Sequence, residues 1–74
     1  MIENTLNLEF IVTRRKSLGL TQGEMATKLG LNSAPAYNKY EKGVYKFNAD
    51  KVPLIAKVLQ CEINDIFLTK KLTN

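Results

Sequence analysis

Seventy-four residues with 45% hydrophobic content suffice for one domain and no more, and a chain this short buries only about 60% of the surface its unfolded form exposes. One cysteine excludes an internal disulfide, the lack of histidine excludes an ordinary zinc site, and no apolar run reaches the roughly 18 residues of a membrane span. Eleven Lys and Arg against seven Asp and Glu give a net charge of +4, which favours a polyanionic partner without requiring one.

From Thr5 to Leu18 the apolar residues Leu8, Ile11, Val12 and Leu18 recur at helical spacing, with Glu9, Thr13, Arg14 and Lys16 between them. A first helix is expected there, capped by Asn4 or Thr5 and stopped by Gly19. Thr21 opens "TQGEMATKLG", where Glu24 follows the threonine at the spacing of a reciprocal capping box. Met25, Ala26 and Leu29 form the inner face of this second helix and Gly30 ends it. "GLNSAPAYNKYEKG" supplies the third: Ser33 as cap, Pro35 in the first turn, a buried stripe of Ala36, Tyr37 and Tyr40, and Gly43 as terminator. Ala34, preceding a proline, is expected at the helix boundary rather than inside it.

The stretch from Val44 to Lys51 reads as a loop, after which Val52, Ile55, Ala56 and Leu59 carry helical spacing again. Asn48 is one cap for this fourth helix, but a start near Lys51 is favoured because it puts Pro53 in the first turn. "EINDIFL" predicts a fifth helix of one to two turns with Ile63, Ile66 and Phe67 on the core, and "TKKLTN" a polar tail expected to fray. No strand pattern, internal repeat or low-complexity segment is visible. The expectation is an all-α fold, a compact five-helix bundle in a single domain over 1–74, with its core at about 5–68 and a frayed tail at 69–74.

Enzyme chemistry has little to work with: no histidine, no glycine-rich phosphate loop, and no carboxylate pair that spacing brings into one cleft. The chain is therefore expected to be no enzyme and to need neither cofactor nor metal. Cys61, a small apolar residue between helical stretches, reads as core filler. "MIENTLNLEF" lacks the basic region and continuous apolar run of a signal peptide, so a cytoplasmic protein without membrane contact is expected.

The segment "GLTQGEMATKLGLNSAPAYNKYEKG" resembles the helix-turn-helix of the phage repressor and Cro-type (Xre-like) family, and "VPLIAKVLQCEINDIF" is similar to that family's fourth and fifth helices. The resemblance implies a lambda-repressor-like bundle whose second and third helices form the helix-turn-helix, in a bacterial host cell. It implies that Arg15 and Glu41 form a partly buried ion pair tying the first helix to the third; two solvated surface charges are the alternative. It implies phosphate contacts at Thr21 and Gln22 and, in the loop after the third helix, at Lys42, Tyr45 and Lys46. Sequence would be read in the major groove of double-stranded DNA by Ser33, Ala34, Pro35, Asn38 and Lys39.

At this reading tip the chain departs from the family, which usually offers Gln, Arg, Lys, Ser or Thr at the first position. Methyl groups and a pyrrolidine ring meet a thymine methyl but exchange no hydrogen bond with a base. The connection between the second and third helices also looks one residue longer than usual, which either rotates the third helix or is absorbed in the loop.

Two kinds of function follow. One is a transcription regulator of a phage lysogeny switch that binds operator DNA, as a homodimer with half-sites roughly 34 Å apart. The alternative is an anti-repressor or modulator that docks on a partner repressor through the Ala-Pro-Ala tip and the aromatics Tyr37, Tyr45 and Phe47, of which Tyr37 reads as core, with weak or no DNA binding of its own. An antitoxin-like protein is a weaker third, since only Leu68 to Asn74 follows Phe67. Ile63, Phe67, Leu68 and Leu72 are the residues proposed for a dimer surface.

Overall fold

Capping chemistry decides where the helices begin. The computed structural model describes residues 4–69. Helix α1 (Leu8–Ser17) starts when the Asn7 side-chain oxygen accepts the Phe10 amide at 3.0 Å. The expected start at Thr5 is thus corrected by three residues, and neither Asn4 nor Thr5 is the cap. Asn4–Leu6 instead forms a short strand, β1, which pairs antiparallel with β2 (Phe67–Thr69) in the register Asn4↔Thr69, Thr5↔Leu68 and Leu6↔Phe67. The Asn7 amide extends this ribbon by donating to the Ile66 carbonyl at 2.6 Å. The five helices stand as expected; the terminal ribbon is an addition to them. Residues 70–74 of the tail lie outside the described residues.

Helix α2 (Gln22–Lys28) carries the reciprocal capping box: Thr21 Oγ1 accepts the Glu24 amide at 3.0 Å, and Glu24 Oε1 accepts the Thr21 amide at 2.8 Å. The bond from the Thr21 backbone holds the Glu24 carboxyl below its usual range. Helix α3 (Ala34–Glu41) follows, with Ser33 Oγ accepting the Ala36 amide at 3.3 Å and Pro35 in the first turn, where its missing donor costs nothing. Gly43 closes α3 with φ +80°, a conformation that penalises any β-carbon.

A short 3-10 turn at Ala49–Lys51 leads into α4 (Val52–Leu59), so Pro53 falls in the first turn. Helix α5 (Ile63–Ile66) is a single turn. The core gathers Ile11, Met25, Leu29, Tyr37, Ile55, Leu59 and Ile66, each essentially sealed from solvent. Burying side chains of this size stabilises the fold by about 1.5–3 kcal/mol each. Ile63 departs from expectation: it is 44% exposed, because a four-residue turn puts only one side on the core and Ile66 takes it.

Basic side chains close two helix ends from a distance. Arg14 donates to the carbonyls of Leu59 and Gln60 at 2.8 and 3.0 Å, at the left-handed end of α4. Lys51 Nζ donates to the Leu29 carbonyl at 3.1 Å, past the end of α2. These two positive charges complement carbonyl ends of helices inside the fold.

Candidate nucleic-acid interface

Helices α2 and α3 pack more extensively on each other than any other pair of elements. Small residues allow the approach: Ala26 is buried between them, and a β-carbon added at Gly23 would lie 3.9 Å from Ala34 Cβ. With Tyr37 and Glu41 turned inward, the opposite side of α3 faces solvent, where Ser33, Pro35 and Lys39 are exposed. Asn38 is half-buried, and so is Ala34, whose methyl faces Gly23.

The loop after α3 folds back over its end, since the amides of Val44 and Tyr45 both donate to the Lys39 carbonyl, at 2.9 and 3.2 Å. Aromatic packing fixes it further. Tyr40 stacks on Phe47 with centroids 4.7 Å apart, Tyr45 meets Tyr40 edge-on at 5.5 Å, and Lys39 Nζ lies 5.3 Å from the centre of the Tyr45 ring. Lys39, Lys42, Tyr45 and Lys46 are thereby brought to one exposed stretch of surface, and among the described residues none of the three lysines joins an ion pair. Val44, 65% exposed, is an apolar member of this surface that sequence spacing gave no reason to single out.

Thr21 and Gln22 are placed differently from the lysines. The Thr21 hydroxyl serves the capping box, and the Gln22 side chain points to α3, where its Nε2 donates to Glu41 Oε1 at 3.0 Å. Glu41 is also held by Arg15, whose Nε lies 2.6 Å from Oε2 while its Nη1 donates to the Leu20 carbonyl at 2.7 Å. The two charged side chains are 8% and 4% exposed, so this is a buried pair and not two solvated charges. Burial alone would push the Glu41 carboxyl up, but the hydrogen bonds from Arg15 and Gln22 hold it below the usual glutamate range. The Tyr37 hydroxyl is buried beside this carboxylate without meeting hydrogen-bond geometry, and its pKa is raised first by burial and then by the closeness of the Glu41 side chain.

The remaining features carry less chemistry. An apolar groove of about 450 Å³ runs between the β ribbon and the loop, lined by Leu6, Leu8, Tyr45, Phe47, Val52 and Phe67, with Lys46 at its rim. Burial pushes the Cys61 thiol up, away from a reactive thiolate. Among the described residues no group of three His, Cys, Asp or Glu is placed to hold a metal, and no helix is long and apolar enough to cross a membrane. Of the residues proposed for a dimer surface, Ile63 is exposed and Phe67 half-buried; the Leu68 side chain and Leu72 lie outside the described residues.

Comparison with known proteins agrees with this architecture. The helix-turn-helix family model matches residues 11–66, which include all of α2 through α5. Comparison with curated protein sequences gives no significant match. Among solved structures the chain is similar to the c2 repressor of phage P22, crystallised in complex with the synthetic operator 9T in the presence of Tl+. The two share 28% sequence identity with a TM-score of 0.68, over 81% of this chain and 89% of the repressor chain. The chain belongs to the phage repressor and Cro-type helix-turn-helix family, a family of DNA-binding transcription regulators rather than of enzymes.

Proposed function

We propose that this protein binds operator DNA, laying α3 in the major groove, and that it regulates transcription in a phage lysogeny switch from the cytoplasm of the bacterial host. The single observation that carries this reading is the exposure of Lys39, Lys42 and Lys46, which join no ion pair among the described residues, at the end of α3 and in the loop that follows it. Lys42, Tyr45 and Lys46 grip phosphates, with Thr21 and Gln22 close to the backbone on the other side. Ser33, Asn38 and Lys39 exchange hydrogen bonds with base edges, while Ala34 and Pro35 offer only apolar surface, suited to a thymine methyl. Residues 5–68 act as one folded domain, and two copies bind as a homodimer on half-sites roughly 34 Å apart.

Titration on duplex DNA tests this. Two phosphate-gripping lysines per subunit make four such contacts per dimer, so affinity should fall about a hundredfold between 50 and 200 mM salt. Lys42→Ala with Lys46→Ala should weaken every duplex alike and reduce the salt slope by about 1 per lysine removed. Salt-independent binding, or loss confined to one sequence, contradicts the assignment of these residues to phosphate.

A second reading, an anti-repressor docking on a partner repressor, is favoured by Tyr45, 46% exposed in the lining of the apolar groove, and by its neighbour in the chain Val44, 65% exposed. It predicts no shift of DNA by the chain alone and a change in the repressor's shift when the chain is added.

A further inference from the structure

Gln22 is placed where the family resemblance implies a phosphate contact, yet its side chain is turned inward. Glu41 presents two carboxylate oxygens, and they are divided between two helices: Oε2 takes Arg15 of α1, and Oε1 takes Gln22 at the first position of α2. Glu41 is the last residue of α3, while Ala34, the first, faces Gly23 next to Gln22, where an added β-carbon would lie 3.9 Å from the Ala34 methyl. The first turn of α2 therefore lies against α3 at both ends of that helix, with Gly23 facing Ala34 at one and a hydrogen bond at the other.

We propose that the Gln22 side chain is a positioning strut and not a phosphate ligand. Through Glu41 it fixes the rotation of α3 against α2, and so the spacing of the outward face of α3 and its lysine loop from the N-terminal end of α2. This rests on the DNA-binding reading. The strut persists on DNA for an energetic reason: swinging Gln22 out to a phosphate strands Oε1 of a nearly sealed carboxylate, whose other neighbour, the Tyr37 hydroxyl, is outside hydrogen-bond geometry. A neutral amide on a solvated phosphate offsets little of that loss, because water competes for the same oxygens.

The test combines Gln22→Met, which keeps the length and removes the donor, with the unaltered chain. In the free protein, the Gln22 side-chain amide protons should show a nuclear Overhauser contact to the Glu41 methylenes and shift as that carboxyl titrates. Both signatures should survive addition of duplex. Gln22→Met should weaken binding to all duplexes alike by about 2- to 10-fold, the size of one hydrogen bond. It should also lower the thermal midpoint without DNA, which loss of a phosphate contact alone would not do.

Single methylphosphonate substitutions along the duplex decide the role. A strut leaves the unaltered chain and Gln22→Met with the same profile of sensitive phosphates. A phosphate ligand gives one position at which the unaltered chain loses affinity and the variant does not, and that result overturns the proposal, as does departure of the amide from Glu41 in the complex. If the unaltered chain binds no duplex, the DNA-binding reading falls and takes the spacing role with it. Loss of the amide signatures in the free protein removes the strut alone.

Discussion

Replacing Arg15 by methionine keeps most of its volume and removes its charge, leaving Glu41 buried with Gln22 as its one hydrogen-bonding partner. The lost guanidinium made a 2.6 Å bond to the carboxylate and a 2.7 Å bond to the Leu20 carbonyl, so two acceptors are stranded at once. Breaking a buried pair from one side costs about 3–5 kcal/mol. A domain of this size holds about 4–11 kcal/mol in total, at roughly 0.05–0.15 kcal/mol per residue. The variant should therefore lose a quarter or more of its stability, and its thermal midpoint should fall by at least about 12 °C. Adding Glu41→Met should recover most of the loss, since two apolar side chains fill the site without a stranded charge.

The pH dependence provides an independent check. In the unaltered chain Glu41 titrates below the ordinary value of 4.5, so its contribution is present above that pH and is lost as pH falls through the lowered value. In Arg15→Met the guanidinium is gone and burial dominates, so the carboxyl titrates above its ordinary value and the folded state gains from protonation. The stability gap between the two proteins should then narrow from pH 7 to pH 5. Urea unfolding at both values measures this. A cost under about 1 kcal/mol at pH 7, or a gap that widens on acidification, would refute the picture of a sealed ion pair.

Two further substitutions probe the ends of the helices that carry the interface. Gly43→Ala forces a β-carbon into φ +80° and to 3.4 Å from Leu8 Cδ1, and should cost about 1–2 kcal/mol in chemical denaturation; an unchanged midpoint contradicts the left-handed terminator. Thr21→Ala removes the acceptor for the Glu24 amide and should cost about 1 kcal/mol, whereas Thr21→Ser should restore nearly all of it.

The helix-turn-helix was legible because its punctuation is local chemistry. Thr21 with Glu24, Ser33 with Pro35, and Gly30 and Gly43 each specify a backbone conformation within four residues of themselves. Features that depend on distant chain were not legible. Three residues of β1 meet three of β2 some sixty positions away, and segments that short carry no alternation to read. Ile63 was expected inside because it is apolar, but one turn of helix has too few residues for periodicity to tell which side faces the core. The inward turn of Gln22 depends on Glu41 arriving from the far end of another helix, and a polar residue at a helix start gives no local sign of it. The arrest of Arg14 and Lys51 on helix-end carbonyls escaped for the same reason, although it decides which positive charges are left for a partner.

Amide chemical-shift mapping during titration with a short duplex at low salt tests most directly whether the outward face of α3 is where this protein meets DNA. The largest changes should fall on Ser33–Lys39 and Lys42–Lys46, with little change at the β ribbon or at the exposed Ile63. Changes centred on Leu6, Val52 and Phe67 around the groove, or none at all until a second protein is added, would contradict it.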